Sequence, residues 1–168
     1  MAGKVKALRE GQHTITAHLI INGADKAIEF YKKAFGAQVT APPHHTPDGK
    51  VMHAELKIGD STIMLADEFP GMGARGPQSL GGSPVVLNLY MDDIDAVFNR
   101  AVAAGATATM PLANQFWGDR YGQIKDPFGH SWALGQHVED VAPDEMERRA
   151  NEAFAQMAKA AGAQQRRA

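Results

Sequence analysis

The sequence contains no cysteine, which excludes disulfides, thiolate metal sites and a cysteine nucleophile and leaves the chain usable in any redox compartment. No run approaches the ~18 consecutive apolar residues of a membrane-spanning helix. Met1 to Gln12 is charged and lacks the apolar core of a secretory signal, so a cytoplasmic protein is expected. Neither sign of charge dominates: 17 basic residues face 19 acidic ones, a formal balance of -2 that gives no reason to expect nucleic acid or an anionic membrane as partner. Also missing are a Gly-rich phosphate loop, a His-Glu-x-x-His helix and a serine in a nucleophile elbow. What remains is 168 residues with 44% apolar side chains, enough for one sizeable core or for two small modules sharing one.

The chain repeats a unit. Thr14, Thr16 and His18 alternate with Ile15, Ala17 and Leu19, the period of a strand. Asn22-Gly23 punctuates, Asp25 is the expected helix cap, and Ile28, Tyr31 and Phe35 recur at the spacing of one buried helix face before Gly36 stops the helix. The second copy runs as a strand from Val85 to Met91, an acidic start at Asp92-Asp93, and an apolar stripe of Ile94, Val97, Ala101 and Ala104 ending at Gly105. Each copy is followed by strand-like stretches. In the first, a short strand lies near Gln38 to Ala41, and Pro42 to Gly49 reads as a hairpin loop. From Val51 to Ile58, Met52, Ala54, Leu56 and Ile58 occupy one face and His53, Glu55 and Lys57 the other; Ser61 to Ala66 is the next strand. In the second, strands are expected near Thr107 to Met110, from Arg120 to Lys125 and from Ser131 to Gln136, with Leu112 to Gly118 as a loop and Asp126-Pro127-Phe128-Gly129 as a tight turn.

The divisions expected are a mobile arm over 1–12, a first module over 13–69, a Gly/Pro-rich bridge over 70–84, a second module over 85–139, and a C-terminal amphipathic helix with a frayed tail over 140–168. Met146, Ala150, Ala153 and Met157 form that helix's apolar stripe, which must lie on something.

His18-Leu19-Ile20-Ile21-Asn22-Gly23-Ala24 leading into Ile28 to Ala37, with Trp117-Gly118-Asp119-Arg120-Tyr121-Gly122 and Asp126-Pro127-Phe128-Gly129-His130 later on, resembles the vicinal oxygen chelate superfamily. That is the glyoxalase, bleomycin resistance and extradiol dioxygenase group, here in its PhnB-like branch. The resemblance spans roughly Thr14 to His137. It implies an α+β fold of two strand-helix-three-strand (βαβββ) modules whose sheets curl into an open cup, commonly completed by a second subunit, so a homodimer is expected. Metal-dependent members place one His or Glu on the first and last strands of each module. Those positions fall near Thr16, Met64, Val86 and Ala133, and none is a usual ligand. No cofactor is therefore expected, with a divalent Zn, Ni, Fe or Mn left open.

Alternation then assigns the cup's inner face: His18 shares the side of Thr16, His53 and Glu55 oppose the apolar face of their strand, and Asn88 and Tyr90 share the side of Val86. Trp117, Arg120 and Tyr121 join them as ligand-binding candidates, the rings to stack planar groups and the guanidinium to hold an anion or carbonyl. Glu55 and His18 are the candidate catalytic pair, because apolar surroundings raise a carboxylate toward the range of a general base. His18, His53 and Glu55 together also form a candidate off-pattern metal set. Each has a structural alternative: His18 as a hydrogen-bonded strand histidine, His53 and Glu55 on a solvated face, Trp117 packed on Phe128 or Trp132, and Arg120 paired with Asp119 or Asp126. Trp132 reads as core, His44 and His45 as solvated, and His130 as a turn anchor. Two functions follow, a small-molecule binding protein of the bleomycin-resistance kind, or a lyase, isomerase or dioxygenase using a displaced metal or a Glu55/His base.

Overall fold

A computed structural model describes residues 5–8 and 12–165. Two sheets carry the fold. In the first module β1 (Ala17–Ile21), α1 (Ala24–Phe35), β2 (Gln38–Val39), β3 (His44–His45), β4 (Val51–Ile58) and β5 (Ser61–Asp67) follow in order. In the second, β6 (Val86–Tyr90), α3 (Ile94–Ala103), β7 (Thr107–Asn114), β8 (Asp119–Lys125) and β9 (Ser131–His137) repeat the plan. The sheet orders are β1-β5-β4-β2, with β3 added beside β4, and β6-β9-β8-β7. In each, the opening strand runs parallel to the closing one. The expected α+β architecture of two like modules is what the chain adopts, and α4 (Pro143–Gln165) follows as the C-terminal helix. Among the described residues no helix is long and apolar enough to cross a membrane.

Both modules press their helices into one core, where α1 packs against α3. Tyr31 and Phe35 of α1 meet Trp132 of β9, with ring centroids 5.4 and 4.8 Å apart. Aromatic burial of this kind carries much of a small core's stability. A polar tie runs through it. Buried Asp126 accepts from the Tyr31 hydroxyl at 2.7 Å and the Trp132 indole N–H at 3.0 Å, while its other oxygen takes the Phe128 and His130 amides. Burial and the adjoining Asp126 carboxylate push the Tyr31 hydroxyl well above its ordinary pKa.

Several expectations are corrected. The first strand begins at Ala17, after Thr14 and Thr16. Asp25 does not cap α1: Gly23 holds the cap position with φ 89°, and Asp67 at the end of β5 accepts the Gly23 and Ala24 amides through one oxygen and that of Val51 through the other. At α3, Asp93 has φ 51° and caps nothing with its side chain; Gln136, near the end of β9, accepts the Ile94 amide. A carboxylate or amide from the closing strand thus replaces the local caps. Met52 is exposed and Val51 buried, because the β3–β4 pairing shifts between His44/His53 and His45/Val51 and breaks the alternation. His44-His45 is accordingly a short strand. The bridge contains a 3-10 turn at Pro70–Met72 and a short helix, α2 (Pro77–Leu80). β7 runs on through Pro111 to Asn114, absorbing two register breaks in what reads as a loop. Most of the expected N-terminal arm lies outside the described residues, as do residues 166–168 of the expected frayed tail.

Candidate functional site

The first wall of the site is the face of β1, β5 and β4 turned away from α1. Glu55 pairs across the sheet with Met64, and Met64 with His18, so the three stand in one row. His53, two residues before Glu55, shares that face. Its ring lies edge-on to His18 at 6.2 Å, and its Nε2 is 3.2 Å from the Glu55 carboxylate. His53 and Glu55 are 36% and 21% exposed, open enough to be met by a ligand. Partial burial and then the neighbouring His53 lower the His18 pKa, which favours a neutral imidazole. His44 stands opposite His53, and with Pro42 and Glu55 they line a cleft of about 290 Å³.

The second wall is built around a residue that alternation did not single out. Asp119, at the start of β8, is buried and ringed by donors: the Tyr90 hydroxyl at 2.7 Å, the Trp117 indole N–H at 2.9 Å and His137 Nδ1 at 3.0 Å. Burial opposes its charge, but these hydrogen bonds prevail and lower its pKa. The same bond, with burial and the Asp119 charge, pushes the Tyr90 hydroxyl up to about 12. Trp117 meets Tyr121 at 5.6 Å and Phe116 at 5.0 Å, both edge to face. The Tyr121 hydroxyl accepts from Gln123 at 2.9 Å. Tyr90 lies over Gly135, where any Cβ would come within 3.0 Å of its ring; the missing side chain is what lets the ring lie across β9. Asn88 is exposed two residues before Tyr90, and both border a cleft of about 600 Å³ between β6 and the β1/β5 edge.

Arg120 is not on this wall. Its guanidinium forms a two-pronged pair with Asp95 of α3 and a further bond to Asn114, so the hand expected to hold an anion is turned to the other side of β8 and already filled. Neither Asp119 nor Asp126 is its partner. Trp117 likewise packs on Phe116 and Tyr121 in place of Phe128 or Trp132. His130 reaches across the modules, its Nε2 3.3 Å from the Ile20 carbonyl oxygen. His18, His53 and Glu55 gather on the first wall, and Tyr90, Trp117 and Tyr121 on the second.

Two of the four positions where metal ligands are expected, Met64 and Ala133, pair across the sheets with residues other than Thr16 and Val86. Met64 and Ala133 face His18 and Asn88, two residues beyond Thr16 and Val86. One imidazole, a thioether, an amide and a methyl group do not make the nitrogen and carboxylate set that a divalent ion needs. Among the described residues no group of three or more His, Asp or Glu is arranged to hold a metal.

A sequence model of the glyoxalase/bleomycin resistance protein/dioxygenase superfamily matches residues 12–134. The chain belongs to this superfamily. A curated relative, an uncharacterized protein of Mycobacterium tuberculosis, is 48% identical over 136 residues, covering 79% of this chain and 79% of its own. Among solved structures, a Pseudomonas aeruginosa protein superposes with a TM-score of 0.60 at 26% identity, covering 76% of this chain and 100% of that one. The PhnB protein of Bacillus cereus shares the fold with a TM-score of 0.54 at 22% identity, over 74% of this chain and 99% of its own. Placed in the superfamily, the two walls correspond to its paired βαβββ modules.

Proposed function

We propose that this chain is a small-molecule binding member of the superfamily that works without the metal usual there, as a homodimer. The observation that carries the reading is a contrast: the positions expected to hold metal ligands, Thr16, Met64, Val86 and Ala133, and the residues His18 and Asn88 paired with two of them give no ligand set, while an aromatic wall is held in shape by Asp119. Flat rings, one half-buried carboxylate and neutral imidazole suit stacking and hydrogen bonding of a planar organic compound. The dimer is supported by the openness of both walls and by exposed Phe154 and Met157 on α4, whose stripe is only partly covered in one chain. Phe154 touches Phe116 next to Trp117, which links that helix to the aromatic wall.

The enzyme reading keeps one specific support, the His53–Glu55 hydrogen bond on an accessible face, where Glu55 is placed to take a proton from a bound substrate. A thermal-shift screen of planar, amide-rich compounds, run with and without exhaustive chelation, separates the two. Binding that survives chelation and is weakened but not abolished in Glu55→Gln supports sequestration. Turnover lost with Glu55→Gln or with chelation supports the enzyme.

A further inference from the structure

The second wall has an unusual electrostatic account. Its three best donors, the Tyr90 hydroxyl, the Trp117 indole N–H and His137 Nδ1, are all turned inward onto Asp119. What they leave outward are ring surfaces and the lone pairs of the Tyr90 oxygen. Among the described residues the cations near these rings are already paired with carboxylates. Arg120 is neutralised by Asp95 on the helix side of β8. His137 is shared between Asp119 and Asp140, its Nε2 2.9 Å from the latter. Lys125 follows Tyr121 by four residues on the same face, roughly 13 Å along the strand. Arg149 of α4 is bound by Glu139 and Glu145, so among the described residues the charges beside the rings are mostly carboxylates: Asp119, Asp140, Glu139 and Glu145 against His137 and Arg149.

We infer that the corner formed by Tyr90, Trp117 and Tyr121 takes an organic cation, a substituted ammonium or a flat charged amidine, with Asp119 behind the rings as the opposing charge. The inference rests on the binding function proposed above and names the chemistry of that ligand. Aromatic faces attract cations through their quadrupole, and the attraction grows when the site is partly shielded from water. Tyr90 is 56% exposed, so its face is reachable, while Tyr90 and Trp117 point their polar ends at the same Asp119 oxygen, which fixes the two rings about one centre. Trp117 and Tyr121 stand at 73° to each other and form two sides of a corner. An anion of the same size would meet electron-rich faces with a carboxylate behind them and, among the described residues on this wall, no guanidinium free of a carboxylate partner.

The test compares three probes of one shape: choline, its uncharged carbon analogue 3,3-dimethylbutan-1-ol, and the anion 3,3-dimethylbutanoate, titrated calorimetrically into the purified full chain. Choline binding at least about tenfold tighter than the alcohol, with the anion weaker still, is expected. Tyr90→Leu, at an exposed position, is expected to lose about tenfold in choline affinity with an unchanged circular dichroism spectrum, and Tyr90→Phe to lose less. Equal binding of choline and the alcohol, or tighter binding of the anion, overturns the inference. Silence of all three probes while planar amides still bind overturns it too, and leaves the binding function standing. If no compound of either series binds, both fall.

Discussion

The two walls are built on the same strand plan and treat their polar groups in opposite ways. On β1, β4 and β5, His18, His53 and Glu55 are half-open and mostly contact one another. On β6, β8 and β9, the polar ends of Tyr90, Trp117 and His137 are drawn into one buried carboxylate. A satisfied network of this kind rigidifies what it touches, whereas a loose pair stays available to solvent or ligand. The difference teaches that pre-shaped surface and available chemistry lie on different modules, so a cup that uses both must bring the two walls together.

The sharpest way to break the contrast is Asp119→Ala, which strands three donors at once. It is expected to cost about 2–4 kcal/mol, read by chemical denaturation, and to abolish binding at the aromatic wall. Gly135→Ala pushes a methyl group into the Tyr90 ring; about 1–3 kcal/mol is expected, with a ligand affinity loss larger than Tyr90→Phe gives. On the first wall, Glu55→Gln replaces a carboxylate whose hydrogen bond among the described residues is to His53. Stability within about 0.5 kcal/mol of the parent is expected in the same unfolding experiment. A large loss there would show that the first wall is as locked as the second.

The smallest effect is a pH dependence at the second wall. Hydrogen bonds donated by the imidazole to Asp140 and then to Asp119 raise the His137 pKa. A group whose folded pKa is raised contributes stability that is complete below its unfolded value, about 6.5, and is lost as pH rises through the folded value. Unfolding midpoints of the parent should therefore fall slightly more than those of His137→Gln as pH is raised through that window. Identical slopes would remove His137 from the network's energetics.

Much of the fold was legible because it rests on periodicity. The spacing of Ile28, Tyr31 and Phe35 and the stripe of Ile94, Val97 and Ala101 place both helices, and those residues are buried. Misread were features set by partners distant in sequence. Asp67 and Gln136 cap helices that begin more than forty residues away, which no local cap rule shows. The Met52 face failed for a related reason, since the bulge against β3 is a pairing event. At the site, alternation puts His53 beside Glu55, and it places Arg120 and Tyr121 on opposite faces of β8, so the two cannot share one wall. Asp119 carried a signal, since it alternates with Tyr121 and Gln123 along β8. Its importance comes from burial and from Tyr90 on another strand, which only the folded chain brings together.

The central claim is that this superfamily member binds a small molecule without the family's metal. The most direct measurement is elemental analysis and native mass of untagged protein, with ligand binding measured on the same sample before and after chelation. A dimer with no stoichiometric transition metal is expected, with binding unchanged by chelation. About one Zn, Ni, Fe or Mn per chain, lost in His18→Ala or Glu55→Gln together with a measurable turnover, would contradict it.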